Sequence, residues 1–372
     1  MKIDRRIIKN FDWITLTIVI ILSIAGILTI YSATRSPITN ETPGFYMKQI
    51  YWLAISIIAL IAITGFDYNW LRRFSYPVYG IGIILLLIVL IIGKTGMGAQ
   101  RWLNLGFLSF QPSEVFKVFL VLALSRYLEE INTQLNMIAL LRVLFTLIVL
   151  PFFLIFKQPD LGTSVIILAV FLTLVAMKGL EKKAATLIVI IGIVSIPFLG
   201  SIMWENLKVY QKNRIVAFME PEVDPSGIGY HINQSKIAIG SGKLLGKGYL
   251  KGTQGPFRFL PEKHTDFIYA VLAEEWGFVG SLFILFLYFA LILRGLDTAR
   301  KAKDEFGRLI AIGITTIFGI HFFINIGMTM GIMPVVGIPL PFMSYGGTAL
   351  LTNFIAAGIL INVRARRFEI FY

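Results

Sequence analysis

Long apolar runs, separated mostly by short polar segments, follow one another along the chain. Each run is close to the roughly 20 residues that a helix needs to cross the hydrocarbon core of a bilayer. The pattern predicts an all-α fold, a polytopic integral membrane protein with about ten transmembrane helices. The predicted spans are residues 12–31, 49–65, 76–93, 112–127, 137–156, 160–177, 184–203, 265–293, 308–331 and 342–363.

The connections between these runs predict a single integral membrane domain over residues 1–372, with no linker or internal repeat. One connection is long, since residues 204–264 separate the seventh and eighth spans. Within it, residues 205–219 and 228–239 are predicted to be helical, the second as an amphipathic helix. The first run has no small-residue cleavage site after it, so we expect a retained helix rather than a signal peptide.

The distribution of Lys and Arg predicts the orientation. If the N-terminus is cytoplasmic, 19 of these residues lie in inner segments and 5 lie in short outer loops. Cytoplasmic loops are enriched in positive charge, whereas long loops are largely exempt from this bias. Both termini are therefore predicted to be cytoplasmic, and the 204–264 loop extracytoplasmic. The five outer residues are Arg35, Lys48, Lys94, Arg101 and Lys157.

Composition excludes several classes of protein. The chain is 56% hydrophobic and only 15% charged, which excludes a disordered chain and an ordinary cytosolic enzyme. It has no Cys, so it has neither disulfides nor thiolate metal sites, and its three His lack the spacing of a zinc site. The net charge of +13 is explained by topology and by contact with anionic membrane lipids. No nucleic-acid partner is expected.

Three acidic residues begin three of the predicted spans. Glu114 opens the fourth, Asp160 the sixth and Asp266 the eighth. The even-numbered spans run from outside to inside, so all three carboxylates are predicted to share the outer membrane face. Ionisable residues in a span are costly and are functional candidates for that reason. Asp160 follows Gln158-Pro159, so ordinary helix capping is an equal alternative for it.

Other polar residues within the spans have two interpretations each. Glu114 and Lys117 are spaced i, i+3 and can pair. A mutually neutralised pair that joins helices is the simpler interpretation, and a pair that shapes a polar cavity for a substrate is the other. Glu274 and Glu275 lie about 12 Å deeper than Asp266 at 1.5 Å per residue. They either line the floor of that cavity or compensate a packing defect.

The region around the last two spans contains more polar and irregular sequence. His321 and Asn325 lie one helical turn apart and are predicted to make hydrogen bonds between helices. Gly and Pro interrupt residues 331–347 before the tenth span. Non-helical backbone at membrane depth must be buried in protein or line a cavity. This segment is therefore a candidate wall of the outer site.

The long loop contains a Gly- and Lys-rich stretch, residues 240–248, with Lys243 and Lys247. It fits neither the P-loop nor the dinucleotide-binding pattern. Such a loop can still bind a diphosphate through backbone N–H groups and cations, or it can be a surface loop with solvated lysines. No G-x-S-x-G elbow occurs, so a nucleophilic serine is not expected. Asp266 instead lies near His264 and Arg258 in the sequence.

Several motifs in order along the chain resemble the SEDS family (shape, elongation, division and sporulation proteins). The last of them includes Ser344, and the stretch from Tyr230 to Gln254 is more similar to the elongation branch of the family than to its division branch. The resemblance covers almost the whole chain. The matching segments are residues 98–103, 111–114, 158–163, 229–242, 261–280 and 341–347.

The resemblance implies a bacterial peptidoglycan glycosyltransferase that polymerises lipid II, a disaccharide-peptide on a polyprenyl diphosphate, outside the cytoplasmic membrane. The implied partners are the growing glycan strand, a class B penicillin-binding protein that cross-links it, and other membrane proteins of the elongation machinery. Mg²⁺ is an implied but unproven helper. The family's essential acid matches Asp266, and its central cavity matches Arg101, Glu114, Lys117 and Asp160.

Glycan polymerisation needs a base for the acceptor hydroxyl and positive charge for the departing diphosphate. Asp266 suits the first role, and a single displacement would invert the anomeric carbon, by analogy with inverting glycosidases. For the second role we favour Arg101 among several cations. These candidates are Arg101, Lys117, Lys243, Lys247 and Arg258.

Two other functions remain open at this point. A flippase for lipid-linked precursors would carry its polar site near the midplane, and Glu274 and Glu275 favour it, but inverted repeats are not detectable. A non-catalytic scaffold of the elongation machinery gives no reason for an Asp at the start of the eighth span.

Overall fold

The computed structural model describes residues 10–35, 44–96, 99–105, 108–187, 205, 207, 209–220, 227–255, 260 and 262–367. Within these ranges the protein is mainly helical, and residues 182–187 are helical in addition to the named elements. The helices are α1 (Trp13–Thr34), α2 (Phe45–Gly65), α3 (Tyr68–Ile92), α4 (Pro112–Glu129), α5 (Met137–Lys157), α6 (Leu161–Lys178), α7 (Val209–Met219), α8 (Ile228–Ser241), α9 (Ile268–Arg300), α10 (Glu305–Thr329) and α11 (Gly347–Ala365).

Eight of these helices are long and apolar enough to cross a membrane, which agrees with the predicted class of polytopic membrane protein. They are α1, α2, α3, α5, α6, α9, α10 and α11. Residues 112–127, the fourth predicted span, also form a helix, but α4 is not among the eight. The seventh predicted span, residues 184–203, is described only up to residue 187, and the rest of it lies outside the described residues. The predicted number of ten spans and the orientation therefore stay predictions.

Several helices begin or end at other residues than the predicted spans do. Helix α3 begins at Tyr68 rather than residue 76, because the Asp67 side chain accepts a hydrogen bond from the Asn69 N–H and caps it. Helix α9 begins at Ile268 and continues to Arg300, past the predicted end at residue 293. The tenth predicted span loses its first residues, since α11 begins only at Gly347.

Helix α4 lies in the interior of the described bundle, in contact with α3, α6, α10 and α11. This explains its charged residues, which would be costly against lipid but are buried against protein here. Glycine residues allow α3 and α10 to pack closely against α4. A Cβ added at Gly313 of α10 would lie 2.7 Å from Val121 Cγ1, and one added at Gly82 of α3 would lie 2.6 Å from the Phe116 ring.

A small antiparallel sheet, absent from the sequence prediction, precedes α4. Strand β2 (Ala99–Leu105) pairs with β1 (Lys94–Gly96) on one side and β3 (Leu108–Phe110) on the other. Two of the strands have only three residues each, too few for an alternating pattern, and long apolar runs lie on either side of the sheet. The sheet positions Arg101, because Trp102 pairs with Lys94 and Leu103 with Phe110.

The segment between α10 and α11, residues 330–346, is non-helical as predicted. Its backbone polar groups are bound by side chains, both from another part of the chain and from the segment itself. Arg214 donates to the Val336 carbonyl at 2.8 Å, and the Leu340 N–H donates to Ser344 Oγ at 2.8 Å. Buried backbone carbonyls need such partners. Residues 335–344 of this segment are therefore fixed and largely buried, whereas Ile332 and Met333 are exposed.

The long loop packs against a break in α9. Gly277 has φ 65° and ψ −161°, a conformation that favours glycine. The Phe278 and Val279 N–H groups donate to the Lys243 and Leu244 carbonyls at 2.9 and 3.1 Å. A Cβ at Gly246 would lie 2.1 Å from the Glu275 carbonyl, so this contact also requires glycine in the loop.

Candidate active site

Arg101 lies against the loop immediately before α6. Its Nε donates to the Gln158 carbonyl at 3.2 Å, and its Nη2 donates to the Pro159 carbonyl. Its Nη1 is 3.7 Å from Asp160 Oδ1. The sheet and the start of α6 thereby hold the guanidinium group in one orientation.

Asp160 is buried and accepts four hydrogen bonds. Its Oδ1 accepts from the Thr163 N–H at 3.3 Å, as expected for a helix N-cap. Its Oδ2 accepts from Thr163 Oγ1 at 3.0 Å, Ser113 Oγ at 3.2 Å and Gln111 Nε2 at 3.3 Å. The last two donors belong to the start of α4. Asp160 therefore joins the first turns of α4 and α6, which the sequence predicted to lie close together.

The Glu114–Lys117 pair is buried one turn into α4. Lys117 Nζ is 2.9 Å from Glu114 Oε1, and the two residues are 3% and 4% exposed. The same ammonium group is 2.8 Å from His321 Nε2 on α10, and His321 Nδ1 is 3.0 Å from the Pro339 carbonyl. The pair thus connects α4 to α10 and to the 330–346 segment.

Asp266 lies in the turn before α9, over the same segment. A Cβ added at Gly337, where φ is 78°, would lie 3.4 Å from Asp266 Oδ2 and 3.5 Å from Arg214 Nη1. Asn325 Nδ2 donates to the Asp266 carbonyl at 3.0 Å and to the Ile338 carbonyl at 2.8 Å. The backbone of Asp266 is therefore anchored, and glycine is required below its carboxylate.

The Asp266 carboxylate itself makes no hydrogen bond to any residue that the structure describes. Its side chain is partly accessible yet densely surrounded by protein, and this desolvation raises its pKa to about 6. The positive charges of Arg214 and Arg101 oppose the increase, and the negative charge of Glu262 adds to it. A carboxyl group of this kind is ionised at neutral pH and is a better proton acceptor than an ordinary Asp.

His264 and Ser344, both predicted to be near the cavity, support the turn that carries Asp266. The His264 ring stacks on Phe45 at 4.8 Å between ring centroids, and burial lowers its pKa. Ser344 Oγ donates to the Thr265 carbonyl at 2.7 Å, and the Tyr345 N–H donates to the His264 carbonyl at 2.8 Å. These contacts fix the turn to the start of α11.

Arg214 on α7 is a site residue that sequence reasoning missed. It belongs to the predicted helix 205–219, but nothing in the helical pattern placed that helix over Asp266. The signal was weak, because Arg214 is one of nine basic residues in the long loop. Its contact with the Val336 carbonyl at 2.8 Å brings the guanidinium group to the candidate site.

Lys247 is bound to a buried carboxylate. Its Nζ is 2.6 Å from Glu274 Oε1 and 3.0 Å from Thr253 Oγ1. Glu274 also accepts from the Thr253 N–H at 2.8 Å and from the Gln254 N–H at 3.1 Å. The loop is therefore clamped to α9 through Glu274. Lys243, in contrast, is exposed.

Two further residues named in the sequence analysis, Glu275 and Arg258, remain to be placed. Ser32 Oγ of α1 donates to Glu275 Oε1, whereas Glu275 Oε2 is buried without a hydrogen bond to the described residues. Glu275 thus lies beside α1 and the long loop. Arg258 lies outside the described residues. The roles predicted for Lys243, Lys247 and Arg258 stay predictions.

The described residues contain no group of three His, Asp or Glu side chains placed to hold a metal ion. The charges close enough to affect Asp266 are those of two guanidinium groups, Arg214 and Arg101, and of one other carboxylate, Glu262. A Mg²⁺ site normally includes one or two carboxylates together with water or phosphate oxygens. No step in the chemistry below is assigned to a metal.

Relatives with curated names match over nearly the full chain. A protein named peptidoglycan glycosyltransferase MrdB from Escherichia coli is 40% identical over 365 residues, which cover 96% of this chain and 94% of that protein. One named peptidoglycan glycosyltransferase RodA from Treponema pallidum is 31% identical and covers 97% of this chain and 99% of its own. Both names are of the type expected from the resemblance to the elongation branch.

The fold also matches a solved structure. A chain from a peptidoglycan synthase complex, described as coordinating polymerization and crosslinking, aligns with a TM-score of 0.81 and 28% identity. The alignment covers 96% of this chain and 99% of the other. A family profile for the FtsW, RodA and SpoVE cell cycle proteins matches residues 12–368. This multi-pass membrane protein therefore belongs to the FtsW/RodA/SpoVE family of cell cycle proteins.

Proposed function

We propose that this chain is a peptidoglycan glycosyltransferase that polymerises lipid II during cell elongation, with Asp266 as the general base. The observation that carries the proposal is the state of the Asp266 carboxylate. It is partly accessible, makes no hydrogen bond to the described residues, and has Arg214 and Arg101 close enough to affect its pKa. A carboxylate left without donors is available to accept a proton from a substrate hydroxyl.

The proposed reaction is a single displacement. Asp266 takes the proton of the acceptor 4-hydroxyl, whose oxygen forms a bond to the anomeric carbon of the donor. The bond from that carbon to the diphosphate oxygen breaks, and polyprenyl diphosphate leaves with the electron pair. Attack opposite the leaving group inverts the anomeric configuration. Because Asp266 has a pKa of about 6, it is mostly ionised near pH 7 and still basic enough to share a proton in the transition state.

The departing diphosphate requires fixed positive charge. Arg101 remains our first candidate, and we add Arg214, since the charges of both act on Asp266. A guanidinium group suits this role because its planar donors bind phosphate oxygens in pairs. Lys117 and Lys247 are weaker candidates, since their ammonium groups lie 2.9 and 2.6 Å from a buried carboxylate oxygen, closer than the 3.7 Å between Arg101 and Asp160.

We assign the activity to the outer face of the bacterial cytoplasmic membrane, with a class B penicillin-binding protein as the partner. The eight apolar helices support a multi-pass location in a membrane. The structural relative belongs to a complex described as coordinating polymerization and crosslinking, which supports a cross-linking partner for this chain. The outer face follows from the predicted topology and from the chemistry of lipid II, whose lipid stays in the bilayer while its sugars react outside.

The test is glycan polymerisation from labelled lipid II by the purified protein with its cognate transpeptidase. Chain lengths are resolved on a gel, and a moenomycin-type inhibitor suppresses unrelated glycosyltransferases. We expect a product ladder from the wild type and none from a folded, partner-bound Asp266→Asn variant. A wild type that binds its partner but makes no ladder contradicts the proposal, and lipid II translocation in liposomes then tests the flippase alternative.

A further inference from the structure

His321 is held on both sides of its ring in the interior of α10. Its Nδ1 is 3.0 Å from the Pro339 carbonyl, and its Nε2 is 2.8 Å from Lys117 Nζ. A carbonyl oxygen can only accept, so Nδ1 carries the proton. The lone pair of Nε2 then accepts from the Lys117 ammonium group. The two contacts together specify one tautomer of a neutral imidazole, with no freedom to rotate.

Lys117 is consequently bound from two helices. Glu114 Oε1 on its own helix is 2.9 Å from Nζ, and His321 holds Nζ from the facing helix. The other oxygen, Glu114 Oε2, is buried without a hydrogen bond to the described residues. A simple neutralising pair does not require a third group. The extra contact instead fixes the direction in which the ammonium group points.

Two polar side chains of α10 hold consecutive carbonyls of the 330–346 segment. His321 binds Pro339, and Asn325, one turn further along, donates to the Ile338 carbonyl at 2.8 Å. The same Asn325 amide donates to the carbonyl of Asp266 at 3.0 Å. The polar face of α10 therefore links the Glu114–Lys117 pair to the backbone of the proposed base.

We propose that His321 is a positioning residue for glycan transfer, which fixes the Lys117 ammonium group relative to Asp266 through the 338–339 backbone. The inference rests on the proposed function. It accounts for the identity of the partners, since the two nitrogens of a buried neutral imidazole need one acceptor and one donor, and here the donor is a charged group on another helix. Misplacing a group in a polymerase site by about 1 Å costs up to about 100-fold in rate. The effect of His321 is therefore expected in turnover more than in lipid II binding.

Two substitutions each retain one contact. In His321→Asn the amide nitrogen reaches the position of Nδ1 and can donate to Pro339, but the side chain ends short of Lys117. In His321→Gln the amide oxygen reaches the position of Nε2 and can accept from Lys117, but the contact with Pro339 is lost. Thr315→Val is the matched control, because Thr315 is a buried polar residue of the same helix whose Oγ1 donates only within α10, to Ala311.

The experiment measures polymerisation rates against lipid II concentration for the full-length variants, each with the same transpeptidase partner, alongside thermal unfolding. We expect kcat to fall about tenfold or more in both His321 variants, with KM within about threefold and unfolding temperatures near that of Thr315→Val. A kcat equal to that of the control overturns the inference. So does a kcat that falls only in proportion to the folded fraction.

Failure of this inference is distinguishable from failure of the proposed function. If the wild type polymerises lipid II and the His321 variants match Thr315→Val, only the positioning role is wrong. If the partner-bound wild type makes no product, the glycosyltransferase assignment itself is wrong, and the inference falls with it.

Discussion

Asp160 and Asp266 have similar places in the sequence and opposite surroundings in the structure. Each lies just before a long apolar helix, α6 or α9. Asp160 is buried, accepts four hydrogen bonds and has Arg101 within 3.7 Å of its carboxylate. Asp266 is partly accessible, and its carboxylate has no hydrogen bond to the described residues. Only its backbone is anchored, by Asn325.

The difference separates a structural carboxylate from one that can react. A carboxylate with all its acceptor sites in use is stabilised as an anion and has little tendency to take a proton. One that is desolvated without donors has a raised pKa and accepts a proton more readily. A substitution of Asp266 is therefore expected to reduce activity, whereas a substitution of Asp160 is expected to reduce stability.

The largest expected effect is the loss of activity in Asp266→Asn. We expect glycan polymerisation to fall by about 10² to 10⁴-fold, since a general base contributes that much. The unfolding temperature should stay at or slightly above that of the wild type, because no hydrogen bond of the carboxylate to the described residues is lost. The measurement pairs the gel assay with thermal unfolding. If the variant were inactive because it unfolds, Asp266 would be a structural carboxylate like Asp160, which contradicts the proposed difference between them.

Asp160→Ala should have the converse effect. It removes the cap of α6 and leaves the Ser113 and Gln111 donors without their acceptor. We expect a loss of about 2 kcal/mol in the free energy of unfolding, in the range for a lost N-cap and an unsatisfied buried group. Denaturant unfolding in detergent measures it. Unchanged stability with abolished polymerisation would instead assign Asp160 a direct catalytic role.

The pH dependence sharpens the comparison further. A general base acts when deprotonated, so a pKa of about 6 for Asp266 predicts that the polymerisation rate falls as pH decreases through 6. The loss should approach about tenfold per pH unit below that value, as for a single titrating group. Initial rates between pH 5 and 8 measure it. A rate that is constant down to pH 5 would contradict Asp266 as the base.

The smallest effect is expected in the pH profile of Arg214→Gln, apart from any loss of maximal rate through the diphosphate. The positive charge of Arg214 lowers the pKa of Asp266, so removing it should raise that pKa further. The acidic limb of the pH–rate profile should then move to higher pH. The shift should be smaller than the increase in the Asp266 pKa that burial causes. A limb at the wild-type pH would show that Arg214 acts on the diphosphate or the backbone alone.

Sequence reasoning proposed several residues that lie in the candidate site, because costly residues in apolar helices are few. Glu114, Asp160 and Asp266 stood out on that ground, and the structure brings the first turns of their helices around one non-helical segment. The same reasoning missed Arg214, since a basic residue in a long polar loop carries no such signal. It also offered Lys247 as a phosphate ligand, although Glu274 holds its ammonium group at 2.6 Å.

Apolar periodicity and residue chemistry alone determined the class of this protein, because lipid-spanning helices need long apolar runs whatever their neighbours. They also predicted a short list of candidate reactive groups. Tertiary structure decided that the charged helix α4 is buried against protein, how the small sheet directs Arg101, and that Arg214 lies near Asp266. It also decided which of two similar aspartates is saturated with donors. Hydrogen-bond partners come from residues more than 40 positions apart, such as Ser113 and Asp160. The sequence around one residue does not show which distant residue will be its hydrogen-bond partner.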